Sequence, residues 1–153
     1  MNRKGFLPGL FTCGVVLVLL CAGSLAPAAD TPQERQKLIG VWSGGVVEGD
    51  GSKAGSTRVV VSELVITADK ITAKNGEGAS LGEGTYKLGD AGGLKTIDAS
   101  GTGGPTHGKS YVGIYKVEGD TLKWCSGTPG KPRPTFFKSE PSNGFLMIVT
   151  RKK

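Results

Sequence analysis

The chain has 153 residues, with 26 glycines, 8 prolines and a formal charge of +6. That length fits one domain built on one hydrophobic core, and so much glycine excludes a helical bundle in favour of short strands and many turns. The basic excess is mild and scattered along the chain, not gathered on one face with stacking aromatics, which argues against a nucleic-acid partner.

At the N-terminus "MNRKG" is a basic stretch and "LFTCGVVLVLLCAG" an apolar run too short to span a bilayer with ease. "APAAD" follows, with Ala26 and Ala28 at the small-residue positions of a cleavage site. Residues 1–28 are therefore expected to be a signal peptide, cut after Ala28 or Ala29, and the protein to be exported to the periplasm or beyond. An uncleaved membrane anchor is the alternative. Lipidation of Cys21 is disfavoured because Leu20 is not a small residue. Cleavage removes Cys13 and Cys21 and leaves Cys125 alone, so no internal disulfide can support the mature domain, residues 29–153.

"TPQERQKLIG" predicts a helix of one or two turns. Thr31 suits the N-cap, Pro32 the first helical position, and Glu34 the far side of a capping box, with Gly40 as the stop. Strands follow. "GVWSGGVVEGDG" turns at Asp50-Gly51, and "STRVVVSELVIT" is β-branched with a break in alternation at Ser62-Glu63 that predicts a bulge. "DKITAKNG" turns at Asn75-Gly76. "GEGTYKLGD" puts Gly84, Tyr86 and Leu88 on one face and Thr85 and Lys87 on the other. "LKTIDAS" is a short strand, and "GTGGPTHG" a loose connection. "YVGIYKV" and "TLKWCS" form a hairpin about Gly119-Asp120. A proline-rich loop, "GTPGKPRPTFF", precedes the last strand in "NGFLMIVTRKK". About eight sequential strands with short turns predict an all-β, antiparallel up-and-down barrel, which closes its own edges; an open sandwich is the alternative.

The segments "LIGVWSGGVVEGDG", "GEGTYKL", "LKTIDAS", "GPTHGKSYVGIYKVEGDTLKWC" and "PGKPRPTFF" occur in that order. From Leu38 to Arg151 the chain resembles a family of small domains of unassigned function found in planctomycetes and described as lipocalin-like. Gly40-x-Trp42 on the first strand with Arg151 on the last is similar to the Gly-x-Trp and closing arginine of lipocalins. Pro132 and Phe137 stand where that family carries acidic residues. The resemblance implies a lipocalin-like barrel and an exported protein, and carries over no reaction.

The residues themselves give little support to catalysis. Alternation sets Cys125 beside Lys123, away from the main apolar set, and a small thiol sheltered by a loop is the expectation. His107 falls in a glycine-rich connection, and no ligand spacing marks a metal site. "EGDGSKAGS" lacks the Gly-Lys-Ser/Thr ending and the following helix of a phosphate loop. Neither cofactor nor metal is expected.

The aromatics are the stronger lead. Trp42, Tyr86, Tyr111, Tyr115 and Trp124 fall on faces that turn inward. Inside a small barrel such side chains either fill the interior or line a cavity. Trp42 is expected to plug one end with Arg151 stacked on its indole, and Arg133-Pro134 with Phe136 to fold over an open end as a lid. Two functions follow: a non-enzymatic binding module for a small apolar ligand, or a filled-core domain that contacts envelope proteins. An apolar pocket of about 300 Å³ or more favours the first.

Overall fold

The structure is a computed structural model that describes residues 30–140 and 144–153. The signal segment expected at residues 1–28, with Cys13 and Cys21, lies outside them. The helix α1 spans Pro32–Leu38. Thr31 caps it, its hydroxyl accepting from the Glu34 amide at 3.1 Å. The Glu34 carboxylate does not complete the capping box; it takes the Lys37 ammonium at 2.6 Å and the Tyr115 hydroxyl at 3.3 Å instead.

Eight strands follow: β1 Gly40–Val47, β2 Thr57–Ile66, β3 Lys70–Lys74, β4 Ser80–Ala91, β5 Leu94–Gly103, β6 Ser110–Glu118, β7 Thr121–Ser126 and β8 Phe145–Arg151. Each pairs antiparallel with its neighbours, and β8 closes on β1, so the sheet is a closed barrel in sequence order. The bulge expected at Ser62-Glu63 is present: Trp42 faces Leu64 and Gly44 faces Val61, which sets two β2 residues against Ser43. One expectation changes. β5 is not short; it runs on through Gly101 and Gly103, and only a single 3₁₀ turn, Gly104–Thr106, and its short tail join it to β6.

The turns follow their residues. Gly92 and Gly93 both have positive φ between Ala91 and Leu94, as a two-residue type I′ hairpin requires. After β3 it is the Asn75 side chain that shapes the turn, accepting from the amides of Glu77 and Ala79, with Gly78 supplying the positive φ.

Alternation sorts the side chains into two clusters. The large one faces the barrel axis and includes Leu38, Trp42, Leu64, Ile66, Tyr86, Ile97, Tyr115, Leu122 and Trp124. The small one, Val47, Ile114, Cys125 and Leu146, lies on the outer face of β1 and β6–β8, with Phe137 of the proline-rich segment packed on it.

Candidate functional site

The two ends of the barrel are built differently. The end where β1 begins is shut by α1. Trp42 is fully buried there, its indole N–H donating to the Leu38 carbonyl at 2.9 Å. The Arg151 guanidinium lies 4.0 Å from the indole centroid and donates to the carbonyls of Ile39 (2.7 Å) and Lys37 (2.8 Å). The motif has a steric reason: Gly40 has φ +145°, and a Cβ there would sit 2.4 Å from Arg151 Nη1. Only glycine lets the arginine pass the chain and reach the ring.

Tyr86 and Tyr115 complete this end. Tyr86 donates its hydroxyl to the Thr67 carbonyl at 2.7 Å, and the Arg35 guanidinium sits 5.0 Å from its ring centroid. Arg35 also pairs with Asp30 through two 2.7 Å hydrogen bonds and donates to the Ala68 carbonyl. Burial, and then the Glu34 carboxylate, push the Tyr115 phenol far above its ordinary range. Both tyrosines thus bury rings in the core and hand their hydroxyls to the closing elements.

The opposite end, where β5 ends and β6 and β8 begin, holds an apolar cavity of about 290 Å³. Its wall includes Val46, Val61, Leu64, Ile71, Ala73 and Leu81 on one side and Ala99, Tyr111, Trp124, Phe145 and Met147 on the other. The aromatics are arrayed around Phe145, with Trp124 edge-on at 5.5 Å and Tyr111 tilted at 6.2 Å. The Trp124 indole N–H is buried and has no hydrogen-bond partner among the described residues. It lies over Gly113, where a Cβ would be 2.8 Å from it.

Part of the mouth is narrowed by the 3₁₀ turn. Thr106 reaches the cavity wall, its one hydroxyl proton shared between the carbonyls of Gly103 (3.0 Å) and Glu83 (3.2 Å). Glycines on β4 and β5 make that approach possible. A Cβ at Gly101 would be 1.8 Å from the Thr106 carbonyl oxygen, and one at Gly82 would be 2.5 Å from Thr106 Cγ2.

The five inward aromatics therefore divide. Trp42, Tyr86 and Tyr115 fill the closed end, whereas Tyr111 and Trp124 line the cavity. Arg151 stacks on Trp42 as expected, but the lid expected of Arg133 and Phe136 is corrected. Arg133 clamps the outer wall, donating to both Asp98 oxygens (2.5 and 3.0 Å) and to the Gly113 carbonyl (2.6 Å). Asp98 points outward because its neighbours Ile97 and Ala99 pack into the core cluster. Phe136 is 47% exposed, and the segment continues to Ser139, whose amide donates to the Gly49 carbonyl. It is a strap along the outside of the barrel.

Cys125 lies beneath that strap, fully buried, with burial raising its thiol pKa. His107 is exposed beyond the cavity mouth, its Nδ1 2.8 Å from the Thr102 carbonyl oxygen. The structure does not bring the two together.

Sequence reasoning missed the cavity's aliphatic wall and the Thr106 lip. The signal for the lip was the glycines at 101, 103 and 104, which the sequence reading assigns to a loose connection, set against Gly82 and Gly84 on the strand beside them. Comparison with family models, curated proteins and solved structures gives no match for this chain.

Proposed function

We propose that this protein is an exported, non-enzymatic, lipocalin-like binding module that holds a small apolar molecule in the open half of its barrel. The observation that carries the reading is the 290 Å³ cavity with an almost wholly aliphatic and aromatic wall, set in a barrel whose other half is packed. Its size is at the lower bound for small-molecule sites. Walls of this kind gain by covering a ligand's apolar surface, and the closed end supplies the rigidity that keeps them apart.

The test is titration with the neutral fluorophore N-phenyl-1-naphthylamine. Saturable one-to-one binding is expected, with energy transfer from Trp124 in the cavity wall. Dye fluorescence that rises only on unfolding rejects the reading. The competing function, a domain that contacts envelope proteins, draws on the exposed Val60 (58%) and Phe136 (47%) and requires no ligand.

A further inference from the structure

We propose that the ligand is uncharged, and that the cavity rejects apolar molecules headed by a carboxylate; this rests on the binding reading above. Lysine, arginine and histidine are all missing from the described residues lining the cavity, and the one charged residue among them is Glu83. The polar groups on the wall are the neutral side chains Ser100, Thr106 and Tyr111, with the indole of Trp124. Of these, the Thr106 hydroxyl is already committed to two backbone carbonyls.

Glu83 stands at the rim. Its Oε1 occupies the space above Gly103, only 2.0 Å from where a Cβ would stand. The cations on neighbouring strands and turns are turned to other partners: Arg58 to Glu48 at 3.3 Å, Lys74 to Glu63 at 3.5 Å, and the Lys109 ammonium to the Pro105 carbonyl at 2.9 Å. A carboxylate drawn into this end loses water and finds no countercharge. One left at the mouth meets the like charge of Glu83, a repulsion felt most at low ionic strength. A hydroxyl, ester or ketone incurs neither penalty, since a neutral oxygen at the mouth keeps its contact with water.

The experiment displaces N-phenyl-1-naphthylamine from the full mature protein with 1-decanol, methyl decanoate and sodium decanoate. It is run at pH 8 and low ionic strength, each competitor below its micelle concentration. Decanol and the ester are expected to compete at least tenfold better than decanoate. Because Glu83 is exposed, its substitution leaves the barrel folded, which circular dichroism checks. Glu83→Lys is expected to bring decanoate to within about threefold of decanol. Glu83→Gln, which removes repulsion without adding a cation, is expected to fall between. Decanoate competing as well as decanol against the wild type overturns the proposal, and a ratio unmoved by Glu83→Lys overturns the role of Glu83. If neither dye nor competitor binds at all, the binding reading falls and takes this one with it, a result distinct from equal competition.

Discussion

Two small-to-large substitutions one strand apart should have opposite signs. Ala99 on β5 faces Tyr86 and Tyr111 across its neighbouring strands and contributes its methyl group to the cavity wall. Ala99→Leu adds three carbons over open space. At about 0.8 kcal/mol per buried CH₂ the full gain is about 2.4 kcal/mol, and partial solvation at the mouth reduces it to about 1–2 kcal/mol. Gly113→Ala on β6 adds a single carbon, but that carbon would lie 2.7 Å from the Cys125 carbonyl oxygen and 2.8 Å from Trp124 Nε1. Overpacking of this kind costs about 1–3 kcal/mol, more than the chain-entropy benefit of about 0.4–1 kcal/mol from replacing glycine. Urea unfolding followed by circular dichroism should therefore move the midpoint up for Ala99→Leu and down for Gly113→Ala at constant slope. Ala99→Leu should also weaken dye binding at least tenfold. If Ala99→Leu lowers the midpoint as far as Gly113→Ala does, the space above Ala99 is filled and the two-ended description is wrong.

Three further outcomes test the closed end and the strap. Trp42→Ala should cost about 3–5 kcal/mol, since it empties a fully buried site and strips the Arg151 guanidinium of its ring; a loss under 1 kcal/mol in urea unfolding would mean that α1 closes the barrel without it. Cys125 should react with a thiol reagent in the native protein only slowly, because burial both covers the sulfur and keeps it protonated; Arg133→Ala, by releasing the strap, should speed labelling, and an unchanged rate would show that the strap is held elsewhere. Acid should loosen α1. Hydrogen bonds from Arg35 to Asp30 and from Lys37 to Glu34 lower both carboxyl pKa values, so their contribution is present above the ordinary carboxylate range near 4 and is lost as pH falls through the lowered values. The midpoint for Arg35→Gln should accordingly fall less steeply below pH 4 than that of the wild type, and parallel curves would remove Asp30 from the account.

Much of this architecture is legible in the residues. Alternation in "GEGTYKLGD" and "TLKWCS" sorts inward from outward side chains, and the Ser62-Glu63 break locates the bulge, because a two-residue period tolerates no drift. The Thr31 cap and the Gly40–Trp42–Arg151 contact are equally readable, each resting on local sterics or a short list of partners. Depth along the barrel axis is another matter. Tyr86, Tyr111, Tyr115 and Trp124 look alike to a periodicity argument, yet Tyr115 meets α1 while Tyr111, four residues away on the same face, stands at the cavity wall. Which end a ring occupies depends on the strand's starting height, and that is set by register with strands distant in sequence. The place of Arg133 is hidden in the sequence for a related reason. A proline-rich segment entering the last strand can cross the mouth or the wall, and the choice turned on Asp98, an outward carboxylate 35 residues earlier.

The cavity also bears on what the domain can tolerate. A dry, enclosed void costs about 24 cal/mol per Å³, so 290 Å³ would forfeit about 7 kcal/mol, comparable to the entire stability of a typical domain at about 5–15 kcal/mol. Opening to solvent relieves much of that but does not refill the wall's lost contacts. Steric necessity explains only part of the emptiness. Gly84 cannot take a side chain, because its Cβ would lie 2.3 Å from the Ser100 carbonyl oxygen, and Gly101 is closed off by Thr106. Ala73 and Ala99 are under no such restriction: both are partly buried, both line the cavity, and both carry Cβ atoms that larger aliphatic side chains could extend. The closed end shows that the same sheet can be packed solid with Ile66, Leu88 and Leu122. Small residues where large ones would stabilise the barrel are what a binding site requires, and Ala73→Leu combined with Ala99→Leu should yield a more stable protein that no longer takes up the dye.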